Sequence, residues 1–138
     1  MTLEAFRVSR RARDHLIKLK RLTDIPNWNV LCRWAFCISL AEPTPPRREH
    51  IPADSTVEMT WRTLGGEYDS LYWALLKERC RRDGLDLSDE TLAEQFRLHL
   101  HRGIGYLAGD PTVRSIGALI RKAVLTDTRG QRGTSVHQ

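Results

Sequence analysis

Apolar residues are densest between Pro26 and Leu40, PNWNVLCRWAFCISL. From Val30 to Leu40 nine of eleven residues are apolar, and only Arg33 and Ser39 interrupt the run. At about 100° per residue these side chains point all the way round a helix, and such a helix has to be enclosed on every side. The run is too short to cross a bilayer, which takes about 20 such residues. It predicts a central core helix covered by other helices and by a second subunit. Pro26 suits its first position, where a missing N–H costs nothing.

The flanking pattern fills in the rest. Leu3 to Val8 alternates as a strand, with Phe6 and Val8 on one face and Ala5 and Arg7 on the other. Ser9 is a good N-cap for a helix from Arg10 to Leu22. Its apolar stripe is Ala12, Leu16, Leu19 and Leu22, with His15 beside it. Arg10, Arg13, Lys18, Lys20 and Arg21 occupy much of the other side, with Arg11 at the edge and a bare Ile17 among them. After the core helix, Pro43, Pro45 and Pro46 forbid helix and favour an extended linker. Val57, Met59 and Trp61 then alternate with polar residues as a second strand, ended at Leu64-Gly65-Gly66.

Three helices are predicted beyond it. Asp69 or Ser70 caps the first, which runs to Arg82 with Leu71, Tyr72, Leu75 and Leu76 inward. Arg79, Arg81 and Arg82 stand in its last turn, where the dipole favours cations. Ser88 caps the second, whose stripe is Leu92, Phe96, His99, Leu100, Ile104 and Leu107. The third starts at Asp110-Pro111 with Val113, Ile116, Ile120 and Val124 inward. The expected organisation is one mainly α domain over 1–125: a strand–helix–helix unit (3–40), a linker with a strand (41–68) and helices (69–125). A disordered basic tail follows over 126–138.

Composition adds a direction. The formal charge of +5 is uneven: net +6 over 1–48, net −5 over 49–110 and net +4 over 111–138. A basic arm, an acidic middle and a basic end point to a nucleic-acid partner. Three cysteines, with no apolar leader at the N-terminus, lead us to expect reduced thiols and a cytoplasmic protein. Cys32 and Cys37 fall about 140° apart on a helix, and His99 and His101 on nearly opposite sides, so neither pair makes a metal site. The cysteines are expected to be small buried hydrophobes, and His99 a packed core histidine. No phosphate loop, nucleophile elbow or zinc-protease motif occurs. No cofactor and no catalytic set are expected.

The order strand, basic helix, tight turn, apolar helix over residues 3–40 resembles the ribbon-helix-helix, or Met-repressor-like, fold. There two chains pair their N-terminal strands into a ribbon that enters the DNA major groove. The second helix packs between subunits and turns its N-terminus, here Pro26-Asn27-Trp28-Asn29, towards a phosphate. The runs LKRLTDIPNWNVLCRWAFCISLAE, TLGGEYDSLYWALLKER and HLHRGIGYLAGD, in that order, resemble the DndE family across roughly Phe6 to Asp110. That resemblance implies a small, homo-oligomeric, DNA-associated component of the bacterial system that replaces a non-bridging phosphate oxygen of DNA with sulfur. Sulfur activation then belongs to partners: a cysteine desulfurase, an iron–sulfur protein and an ATPase. The Pro-rich insert and an Arg-rich rather than Lys-rich surface depart from the family pattern.

On this reading Arg7, Arg10, Arg11, Arg13, Lys18, Lys20 and Arg21 meet double-stranded DNA, and Asn27 and Asn29 add contacts at the helix start. The assembly is a dimer or tetramer. The rivals are a ribbon-helix-helix transcriptional repressor, a nuclease and a purely protein-binding subunit.

Overall fold

The computed structural model describes residues 5–123. Strand β1 (Ala5–Arg7) leads into α1 (Arg10–Thr23) through Ser9, whose Oγ accepts from the Ala12 N–H at 3.1 Å. The helix buries Ala12, Leu16, Leu19 and Thr23. Thr23 takes the place expected of Leu22 because its hydroxyl donates to the Leu19 carbonyl at 2.7 Å and accepts from the Ile25 N–H. Asp24, at φ 59°, ends α1 by donating its N–H to the Lys20 carbonyl. Asp is among the few non-glycine residues that tolerate this left-handed backbone.

The apolar helix α2 is Trp28–Ala41, capped by Asn27. Pro26 thus precedes the cap instead of opening the helix. Leu31, Cys32, Ala35, Phe36 and Ser39 are buried, whereas Val30, Arg33 and Trp34 are half-buried and Cys37 is exposed. The chain itself therefore covers one side of α2. The cover is α5 (Asp89–Gly109), which crosses α2 so closely that a Cβ on Gly103 would lie 1.7 Å from the Ala35 carbonyl oxygen. Ser88 caps α5 by accepting from the Thr91 N–H, and the expected stripe, Leu92, Phe96, His99, Leu100, Ile104 and Leu107, is buried.

The second strand is shorter than its alternation implies. β2 is Glu58–Thr60, and Trp61 opens a short helix, α3 (Trp61–Gly65), capped by Thr60. Trp61 is pulled inward: its Nε1–H donates to the Asp69 carbonyl, and its ring sits edge-on to Trp73 and Phe96, with centroids 5.3 and 5.0 Å away. β1 and β2 pair antiparallel, Arg7 opposite Glu58 and Ala5 opposite Thr60. The strand partner expected from a second chain is thus supplied by β2 of the same chain. On the other edge of β1 the Arg7 carbonyl accepts from Arg97 Nη1 at 2.7 Å.

α4 (Asp69–Arg82) corrects two expectations. Its N-cap is Tyr68, with no side-chain cap bond, and Asp69 is already helical. Its inward residues are Trp73, Leu76, Arg79 and Cys80, while Leu71 and Leu75 are 54% and 41% exposed. Arg79 goes in because every N–H finds an acceptor: Asp83 Oδ2, and the carbonyls of Leu40, Glu42, Pro43 and Thr44, all within 3.2 Å. The Pro-rich segment bends at 42–44 and forms neither helix nor strand, and this side chain ties it down. A last helical stretch covers 116–123. It begins after a turn over 111–115 and not at Asp110-Pro111 as expected; Val113 is buried in that turn, Ala118 and Leu119 are buried on the helix, and Ile116 and Ile120, expected inward, are exposed. Val124 and the tail lie outside the described residues.

Candidate nucleic-acid interface

α1 distributes its cations over three directions. Arg10 and Arg21 point outward and are exposed, and their side chains make no hydrogen bond or ion pair among the described residues. Ile17, also exposed, lies between them. Arg11, His15 and Lys18 flank the side towards α5. There Lys18 Nζ donates to the Ala108 carbonyl at 3.0 Å, and Arg11 and His15 line a cavity of about 490 Å³ with His50, His101 and Tyr106. Burial, then Arg11 and Lys18, holds the His15 pKa below its ordinary value, a sign of a positive field on this flank.

Arg13 and Lys20 flank the opposite side, towards the start of α2. Arg13, Asn27, Trp28, Asn29, Glu58 and Thr63 are among the residues lining an open groove of about 560 Å³. Lys20 Nζ sits 4.9 Å from the centroid of the Trp28 ring, which holds the ammonium over the same region. Asn29 Nδ2 donates to the Thr63 carbonyl at 3.2 Å, while the Asn27 side chain makes no cap bond. The Trp28 and Asn29 N–H groups, the first of α2, meet no backbone acceptor among the described residues, and a helix N-terminus carries a partial positive charge.

Of the nine expected residues, Arg13, Asn27 and Asn29 line this groove, and Lys20 reaches its edge over Trp28. Arg10 and Arg21 lie on the outer side of α1. Arg11 and Lys18 belong to the far flank, and Lys18 is occupied by a backbone carbonyl. Arg7 is held by Glu58 Oε2 at 2.8 Å, so the ribbon's exposed face carries a paired charge. Sequence reasoning missed Trp28 and Glu58 as parts of the site. Trp28 follows the cap residue directly, but nothing in the chain order tells that Lys20 lies over it.

The corner that carries this surface is braced from behind. His101 Nε2 accepts from the Ser9 N–H at 3.1 Å while Nδ1 meets the Arg97 carbonyl at 2.8 Å, which fixes a neutral ring protonated at Nδ1. Burial holds its pKa below the ordinary value. His99, the expected core histidine, is fully buried against Ser39 Oγ at 2.8 Å, and burial depresses its pKa to about 4. Cys32 and Cys80 are buried, as expected of small hydrophobes, and Cys37 is not. Among the described residues no three His, Cys, Asp or Glu side chains group as metal ligands, and no helix is long and apolar enough to cross a membrane.

The fold is mainly α with a small antiparallel ribbon, and an open groove lined by Arg13 and Glu58 among others lies at the start of α2. The family model described as DNA sulphur modification protein DndE matches residues 5–115, so the chain belongs to the DndE family. Among solved structures it is similar to DndE from Escherichia coli B7A, involved in DNA phosphorothioation modification. That similarity is 27% identity and a TM-score of 0.66, over 78% of this chain and 98% of the other. A DndE mutant with two glycines changed to lysine shares the fold at 24% identity and a TM-score of 0.60, with the same coverage. Among curated proteins none matches the chain.

Proposed function

We propose that this chain holds double-stranded DNA for sulfur incorporation carried out by partner enzymes, and is not itself the catalyst. The partners are those of the phosphorothioation system: a cysteine desulfurase, an iron–sulfur protein and an ATPase. The observation that carries the reading is the groove at the start of α2, which Arg13, Asn27 and Asn29 line and beside which Lys20 rests on Trp28, in a member of the DndE family. Phosphate oxygens meet Arg13 and Lys20 there, with the α2 N–H groups between them, and Arg10 and Arg21 extend the track along α1. The strand–helix–helix unit works in the Met-repressor-like manner, with its ribbon completed by β2. Residues 1–125 act as one cytoplasmic domain in a homo-oligomer, a dimer or tetramer.

The repressor reading loses ground at Arg7. It is the one ribbon side chain suited to a bidentate guanine contact, and Glu58 holds it. The test is fluorescence anisotropy with several unrelated duplexes across a salt series. Similar affinities with a steep salt slope are expected. No binding at low salt would favour a purely protein-binding subunit. One duplex bound a thousandfold tighter, with the margin abolished by Arg7→Ala, would favour the repressor. Metal-dependent cleavage that disappears with one carboxylate would favour the nuclease.

A further inference from the structure

The outer face of α2 has no cover within the described chain. Val30, Arg33, Trp34 and Cys37 line a groove of about 310 Å³ there, closed on one side by Tyr72 of α4. Leu71 and Leu75, on the same helix as Tyr72, are exposed. No acidic residue lines the groove, and Arg33 Nε is buried without a hydrogen-bond partner. A buried guanidinium N–H without an acceptor is costly, and a native structure rarely leaves one unmatched.

The chain carries a segment of matching shape and charge. Gly84, at φ 76°, turns the backbone out of α4, and the Leu85 N–H closes the turn on the Cys80 carbonyl. Leu85 and Leu87 then stand 37% and 47% exposed. Asp89 and Glu90 open α5 beside them, and their side chains make no hydrogen bond or ion pair among the described residues. Many other acids are already engaged: Asp14, Glu58, Asp69, Glu78, Asp83, Glu94 and Asp110 each have a basic partner, and Glu42, Asp54 and Asp86 accept backbone N–H groups. Two free carboxylates next to two exposed leucines are what an apolar groove with one unmatched arginine takes. The segment is barred from its own groove. Tyr72 lies in the first turn of α4 and the segment follows its last, so about 15 Å of helix separates them.

We propose that Leu85–Glu90 of one copy docks in the α2–α4 groove of the next. Leu85 and Leu87 lie against Val30, Trp34 and Tyr72, and Asp89 and Glu90 supply the carboxylate for Arg33. This rests on the homo-oligomer reading above and gives it a geometry. Knob and groove are different patches, so the contact is heterologous and closes a ring or runs on as a filament. An isologous α2–α2 packing would instead bring two Arg33 side chains into one apolar groove with no acid between them.

The test measures the mass of the full chain by light scattering at micromolar concentration. Arg33→Glu alone, and Asp89→Lys with Glu90→Lys in a second chain, are each expected to weaken self-association at least tenfold with the thermal melt retained. An equimolar mixture of the two should reassemble, because each bears the charge the other's patch now wants. Under mild oxidation, Leu87→Cys should cross-link between copies, and Cys37→Ala should abolish the cross-link. Cross-linking of the unaltered chain through Cys37 to Cys37 would show an isologous contact and overturn the proposal. A wild-type oligomer whose size neither charge variant changes would overturn it too, leaving the oligomer reading intact. A monomeric wild type would overturn both.

Discussion

At its C-terminal end α2 presents the Ser39 and Leu40 carbonyls, and the turn beyond adds those of Glu42, Pro43 and Thr44. Arg79 and Arg102 fill all of them. Arg102 also donates Nε to Ser39 Oγ at 2.8 Å. At the N-terminal end the cations meet no carbonyl: Lys20 rests on the Trp28 ring, and Arg13 reaches only Asp14, at 3.9 Å across the surface. A helix ends in unpaired C=O groups and begins in unpaired N–H groups. Arginines near the first kind of end are consumed as structure, and those near the second stay available to an anion. What an arginine does here follows from the acceptors around it, and its position in the charge pattern says little.

The largest effect is expected at the crossing that separates the two ends. Gly103→Ala puts a methyl group onto the Ala35 backbone, where nothing flexible can yield, and should cost at least about 3 kcal/mol in chemical denaturation. Retained stability would mean that α2 and α5 cross less closely.

Arg79→Leu follows. It strands the Leu40, Glu42 and Pro43 carbonyls and Asp83, leaves the Thr44 carbonyl to Arg102 alone, and a destabilisation of about 3–5 kcal/mol is expected with DNA affinity per folded molecule unchanged. Arg79→Lys keeps the charge but not the five-donor fork, so it should recover little. A selective drop in DNA binding at unchanged stability would erase the contrast between the two ends.

Acid should weaken the buried side first. The folded pKa of His99 lies at about 4, below its ordinary 6.5, so the unfolded chain takes the proton first. That contribution is complete above about pH 6.5 and disappears as pH falls towards 4. His101, also depressed, acts in the same sense. Melting temperature against pH, with and without His99→Gln, measures it. A flat profile for the unaltered chain would contradict the buried neutral ring.

At the open end, Arg13→Ala with Lys20→Ala should change stability by less than about 1 kcal/mol yet weaken every duplex alike. The log–log salt slope should flatten by about 0.9 for each phosphate that is no longer neutralised. Smallest is Arg7→Ala, where an exposed ion pair is worth about 0–1 kcal/mol and DNA affinity is expected to change little.

Local chemistry was legible in the chain itself. Ser9 and Ser88 cap where their side chains promised, the stripe from Leu92 to Leu107 is buried, and no helix forms through the prolines. These depend on neighbours within a few residues, which the sequence states. It also carried the family, through motifs in fixed order.

The rest depended on partners far along the chain. Leu71 and Leu75 read as a core face, but Trp61, Trp73 and Arg79 claimed the other side of α4. An arginine is buried only when distant carbonyls happen to saturate it, and no local pattern records that. The ribbon partner of β1 came from β2, some fifty residues on, instead of from a second chain. Of nine basic and amide residues that looked equivalent on paper, tertiary packing put three in the lining of one groove and a fourth, Lys20, over Trp28 beside it, tied Arg7 to Glu58 and spent Lys18 on a carbonyl. Periodicity fixes which direction a side chain leaves its own helix. Only the packed chain decides what waits there.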